Sequence, residues 1–197
     1  MKRRRISAED LMSELSSDAG FIAMRERQDK ELRKNEVEDR AAEVPLLRAL
    51  KSRGFDVASV WDLLEKSGYD DALPVLLQHL EFSYPAVVRD GIARALGVPA
   101  TKALGWAVLL KCYEKETDKR VRDGIGVAIA AAADDEVLSD VIRLLRDPNN
   151  GSSRLLLIRA LADSRAPNAY RALVELQSDP ELSHEIGVLL RRKRRKR

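Results

Sequence analysis

The ten residues VVRDGIARAL, Val87 to Leu96, return 33 positions later as RVRDGIGVAI, Arg120 to Ile129, sharing Val-Arg-Asp-Gly without a gap. Near-identity at a fixed period of about thirty marks a chain assembled from copies of one supersecondary unit. A step of 32 residues from Arg122 reaches Arg154 in SSRLLLIRAL, and a further 29 lays Leu155–Leu161 on His184–Leu190 (HEIGVLL). A step back of 32 lays DVASVWDLL, Asp56–Leu64, on VRDGIARAL, Val88–Leu96. Five copies result, at about 42–67, 70–97, 101–132, 135–163 and 167–190.

A second amphipathic stretch precedes each of these: VPLLRALKSRG, ALPVLLQHLEFS, KALGWAVLLKCYEK, EVLSDVIRLLRDP and AYRALVELQSDP. Leu73, Leu76, Leu77 and Leu80 recur at i, i+3, i+4, i+7, one face of a helix, and Val137, Val141, Leu144 and Leu145 nearly so. Ser83-Tyr84-Pro85, Asp147 to Gly151 and Ser178-Asp179-Pro180 punctuate the pairs with the residues expected at helix starts. The predicted unit is helix, turn, helix, and the predicted fold is an all-α solenoid, because such a pair buries its apolar face only by stacking on its neighbours. Gly91, Gly124, Gly126 and Gly187 fall inside predicted helices at a cost of about 1 kcal/mol each relative to Ala, which suits sites where another backbone comes close.

These residues carry a family resemblance. A period near thirty, paired helices and a second helix opening Val-Arg-x-x-[small or Ile]-x-x-Ala-Leu resemble HEAT repeats, particularly the short bacterial kind first noted in phycobilin lyases. The likeness spans about 42–191 and is best over 70–163. It implies that Arg89, Arg122 and Arg154 bridge to acids in an adjoining repeat. Ser153 stands in place of the valine before Arg154, and Val57 takes the arginine position of the first copy. HEAT arrays serve as adaptors, regulatory subunits, chromophore lyases and DNA glycosylases alike, so the resemblance implies a scaffold before it implies an activity.

Residues 1–41 form a basic end and a charged arm. Ser7 and Asp10 read as a capping-box-like helix start reaching about Leu15, and a second helix begins near Asp18. Six opposite-charge pairs at i, i+4 follow: Arg25–Asp29, Glu26–Lys30, Arg27–Glu31, Asp29–Arg33, Lys34–Glu38 and Glu36–Arg40. Each is worth about 0.2–0.5 kcal/mol, enough together to hold a solvated helix. Phe21, Ile22, Met24, Leu32 and Val37 are too irregular for a coiled-coil seam.

Charge is unevenly distributed. The net charge is +3, yet Lys2, Arg3, Arg4, Arg5 and the run Arg191 to Arg197 are all basic, leaving residues 6–190 about eight charges negative. Arg191, Arg192, Lys193, Arg194, Arg195, Lys196 and Arg197 read as a flexible basic tail and as possible nucleic-acid contacts. A tail without a basic body predicts weak, salt-sensitive, sequence-blind binding.

No stretch approaches 18 consecutive apolar residues, and acids occupy the place of a signal peptide's apolar run, so a cytoplasmic protein without a membrane span is expected. Cys112 is the only cysteine, which leaves no internal disulfide or cysteine zinc cluster. The two histidines, His79 and His184, fall in separate copies, and HExxH, GxSxG and a glycine-rich phosphate loop are absent. We expect no catalytic residue, metal or cofactor.

The second helices of a solenoid usually line its inner, binding face. Aligning the copies gives two rows on it, Asp62, Arg94, Val127, Arg159, Val188 and Ala58, Asp90, Asp123, Leu155, His184. Mixed charge and apolar surface suits a protein or peptide partner, with Asp62, Asp90, Arg94, Asp123 and Arg159 as contacts and Trp61 either anchoring the partner or buried in the core. The expected function is a non-enzymatic interaction or regulatory scaffold. A nucleic-acid-associated protein using both basic ends is the alternative, and a HEAT-type lyase or glycosylase-like enzyme comes third.

Overall fold

The computed structural model describes Ser7, Met12, Ser16 and residues 18–195. The helix start expected at Ser7 and Asp10, the basic residues 2–5, Lys196 and Arg197, and the side chains of Lys193, Arg194 and Arg195 lie outside what it describes. The described residues are helical, with no strand among them. The chain divides into two compact units, Met1–Ala42 and Glu43–Arg197.

In the first unit the main element is the beginning of α1, Ala19–Ser52. Asp18 caps it, its Oδ1 accepting from the Phe21 amide at 3.0 Å, as short acids do at helix starts. Side chains here are almost all exposed. Of the six expected ion pairs, Lys34–Glu38, at 3.7 Å, is the one within ion-pair distance among the described residues.

The second unit opens on the end of α1, where Leu46 and Leu50 are fully buried. The helix runs unbroken through the expected boundary at 41–42 and through Pro45. Proline ordinarily breaks a helix interior by removing a hydrogen bond. Here the two buried leucines anchor the following turns, and Glu43 anchors the turn before the proline, its Oε1 accepting from the Val60 amide at 2.5 Å and the Ser59 hydroxyl at 3.1 Å.

The partner stretch of this first pair is a 3₁₀ helix, Val60–Glu65, rather than an α-helix. It has a capping box, Ser59 with Asp62, and Gly68 follows at φ +71°, a turn conformation glycine adopts without steric cost.

The remaining pairs are α2 (Leu73–Leu80) with α3 (Ala86–Ala95), α4 (Thr101–Lys115) with α5 (Lys119–Ala132), α6 (Leu138–Arg146) with α7 (Arg154–Asp163), and α8 (Pro167–Glu175) with α9 (Ser183–Arg195). The predicted stripe Leu73, Leu76, Leu77, Leu80 is buried. In α6, Val141, Leu144 and Leu145 are buried with Leu138 and Ile142, while Val137 is the half-buried cap. Second helices meet in chain order: Val60–Glu65 touches α3, α3 touches α5, α5 touches α7, and α7 touches α9. Among first helices α2 meets α4 and α6 meets α8.

Glycines set the closest of these approaches. A Cβ on Gly91 would lie 2.6 Å from Val60 Cγ1 and one on Gly124 2.5 Å from Asp90 Oδ1. Gly187 has no such neighbour; the nearest atom is Arg191 Nη1 at 3.4 Å.

Polar ties join consecutive first helices at nearly the repeat period. Glu81 pairs with Lys111, Lys102 with Asp134 and Glu136, Glu114 with Arg143 at 2.5 Å, and Arg146 bidentately with Glu175 at 2.7 and 3.1 Å. Trp106 Nε1 donates to Asp140 at 2.9 Å. These pairs are mostly solvent-facing, where ion pairs contribute little, so their effect is to fix register more than to stabilise.

At the other end, α9 continues to Arg195 instead of giving way to irregular chain at 191. Ile186 and Leu190 are buried. They seat the helix, arginine and lysine are good helix formers, and positive charge favours a helix C-terminus.

His79 is largely buried and its Nδ1 lies 2.7 Å from the Tyr84 hydroxyl. Burial holds its pKa below the ordinary 6.5. The unfolded chain therefore binds the proton more readily, and stability present at neutral pH falls as pH drops below about 6.5. Urea midpoints measured from pH 7.5 to 5.5 should fall less in His79→Gln than in the wild type; equal slopes would remove His79 as the cause.

Candidate functional site

The second-helix face is built by α3, α5 and α7, which place equivalent positions side by side. Asp90 on α3 is 3% exposed. Its Oδ1 accepts from Arg94 Nε at 2.7 Å, one turn on, and its Oδ2 from Arg120 Nε at 3.0 Å, at the start of α5. Two guanidiniums around one buried carboxylate are the condition under which such a charge is tolerated.

The equivalent Asp123 on α5 follows the same plan. Lys119 binds it at 2.6 Å from one turn earlier, and the Ser153 hydroxyl, just before α7, donates to it at 2.6 Å. On α7 the position is Leu155, exposed, and on α9 it is His184, also exposed.

In the other row Arg94, Val127 and Val188 are half-buried, while Arg159 projects into solvent with only Asp163, at 3.5 Å, beside it. Asp62 turns inward, its Oδ2 accepting from the amides of Ala58 and Ser59 at 2.9 and 3.0 Å. Trp61 is half-buried, and its Nε1 lies 2.9 Å from where a Gly91 Cβ would be, so its indole packs on α3. The structure thus gathers Asp90, Arg94, Asp123 and Arg159 on the row α3–α5–α7 and gives Asp62 a capping role. Asp90 is too enclosed to meet a partner directly.

The arginines singled out by the repeat lie deeper. Arg89 on α3 meets Glu116, beyond the end of α4, at 2.5 Å. Arg154 on α7 binds Asp179 and Glu181, each at 2.7 Å, in the turn before α9, and the carbonyls of Leu145 and Gly151 at 3.1 Å. Both reach the next helix pair. Arg122 differs, donating to the Glu116 carbonyl within its own pair. The Arg154 guanidinium holds the Asp179 carboxyl below its ordinary pKa.

Beside the face, at the C-terminal ends of α5 and α7, opens a cleft of about 590 Å³ lined by Ala131, Asp134, Glu136, Arg159, Asp163 and Arg165. Lys102 already answers Asp134 and Glu136 and holds Asp134 below its usual pKa. No cluster of three metal-ligating side chains occurs among the described residues. His79 is engaged with Tyr84, and Cys112 is half-buried, its thiol pKa pushed up chiefly by burial. No helix among the described residues is long and apolar enough to cross a membrane.

Sequence reasoning missed Arg120 and Lys119 as members of this face, and Glu116 as the acid that collects Arg89. The signal was present: Asp90 and Arg120 are opposite charges one period apart. No family model, curated protein or solved structure matches the chain.

Proposed function

We propose that the chain is a short HEAT-like solenoid that works without catalysis, as an interaction or regulatory scaffold holding a protein or peptide across the second-helix face. The observation that carries this reading is the unbroken row α3–α5–α7. Neighbouring helices present Arg94, Val127 and Arg159 at equivalent positions, and polar ties fix their spacing. A rigid surface of repeated chemistry suits an extended partner, which loses less freedom on binding a surface that is already ordered.

Benzoylphenylalanine at Leu155, irradiated in cells of the source organism, is expected to give a discrete protein adduct that the same group at Val174 on α8 does not. Adducts of the same identity from both positions, or none from Leu155, would reject the assignment.

A second reading, attachment to nucleic acid through the basic end, is favoured by Arg191 and Arg192, exposed on a helix that continues to Arg195. It requires duplex binding that weakens steeply with salt.

A further inference from the structure

The sequence offers acids and bases in similar measure along the second-helix face, but the structure exposes them unequally. The side chains of Asp90 and Asp123 are 4% and 23% exposed, whereas those of Arg94, Arg120 and Arg159 are 35%, 53% and 80% exposed. The acids are used inside, one holding two guanidiniums and the other tied to Lys119 and Ser153. Asp163, the acid nearest Arg159, is a loose exposed pair at 3.5 Å, of the kind that contributes little. The charged groups this row shows to a partner are therefore mainly guanidiniums, with Val127 between Arg94 and Arg159 in the row and Leu155 one turn before Arg159, while Asp134, Glu136 and Asp163 line the cleft beside Arg159.

We infer that this face takes an acidic peptide segment, its carboxylates on Arg94, Arg120 and Arg159 and its aliphatic side chains on Val127 and Leu155. The inference rests on the reading of the face as a partner-binding surface and names the partner's chemistry. Arginine is suited to the role because its planar fork accepts a carboxylate bidentately and is weakly hydrated. Nucleic acid fits less well. The few guanidiniums of this row do not form the continuous basic track that a phosphate backbone takes. The face also has aliphatic side chains where single strands favour aromatic stacking.

The test is fluorescence anisotropy at physiological salt with the full chain and three labelled probes: the peptide (Glu-Leu-Glu-Ala)₃, the same peptide with Gln for Glu, and a 20-base-pair random duplex. The Glu peptide is expected to bind at least tenfold tighter than the Gln peptide. Arg159→Glu should weaken it at least tenfold with the circular dichroism spectrum unchanged, since this exposed side chain makes no buried contact; Arg94→Gln, which leaves Asp90 paired with Arg120, should also weaken it.

Equal affinity for the two peptides, no Glu-peptide binding below about 1 mM, indifference to Arg159→Glu, or a duplex that binds more tightly than the Glu peptide would each overturn the inference. A Leu155 adduct persisting in any of those cases would show that the face binds a partner of other chemistry. Loss of the adduct as well would remove the scaffold reading itself.

Discussion

Arg154→Met is expected to destabilise the fold by about 3 kcal/mol, lowering the thermal midpoint by roughly 10 °C. Arg154 is 2% exposed, and its guanidinium serves four acceptors at once: Asp179, Glu181 and the carbonyls of Leu145 and Gly151. Methionine fills the volume of the stem but takes the guanidinium from the Leu145 carbonyl and leaves Gly151 O with the Arg154 amide and the Asp179 carboxylate with the amides of Glu181 and Leu182, and buried groups that lose a donor cost about 1–3 kcal/mol each before relaxation. Lysine should recover little, because a single ammonium cannot span acceptors arranged around a planar fork. A midpoint within about 3 °C of wild type for Arg154→Met would show that water replaces the guanidinium.

The second large effect is expected at Gly124. A Cβ there would lie 2.5 Å from Asp90 Oδ1 and 3.2 Å from both the Asp90 carbonyl oxygen and Ala93 Cβ. The side-chain oxygen can move only by leaving Arg94 or Arg120, and the backbone oxygen cannot move without shifting α3. Overpacking of this kind costs about 1–3 kcal/mol, against about 1 kcal/mol gained when alanine replaces glycine in a helix. We therefore expect Gly124→Ala to lose up to about 2 kcal/mol and Gly124→Val more. Gly187→Ala on α9 is the control: with no atom nearer than 3.4 Å it should be neutral or stabilising. Equal midpoints for the two alanine variants would show that the α3–α5 spacing is not set by Gly124.

Helical class and pairing were legible because they depend on period and punctuation. The leucines of α2 declare one buried face, and Val-Arg-Asp-Gly in α3 and α5 marks two helices in like surroundings. What escaped the sequence depends on neighbours a repeat pattern does not name. The boundary expected at 41–42 is not a break in the chain: α1 runs across it and through Pro45, with buried leucines on the C-terminal side of the proline. DVASVWDLL aligned with true helices, but Asp62 turns back to cap its own backbone and Gly68 closes the segment after six residues of 3₁₀ helix.

At the site the same limit applies. Asp90 and Asp123 were legible as a row, while their burial was not, because it depends on Arg120 and Ser153 arriving from the next copy. Arg122 shares its motif with Arg89, yet its guanidinium meets a carbonyl close by in sequence.

The near-constant spacing of the inter-pair ties bears on how the chain finds its fold. Asp90–Arg120, Asp123–Ser153, Glu114–Arg143 and Arg146–Glu175 join residues 29 or 30 apart. Each closes a loop of similar length, at an entropic cost near 3 kcal/mol beyond a constant by the (3/2)RT ln n relation. Because these ties link successive pairs, adding a pair adds one more loop of the same size and leaves the others unchanged. Folding can then begin at whichever pair orders first and spread to its neighbours, with a barrier set by a local contact order instead of by the full length of the chain.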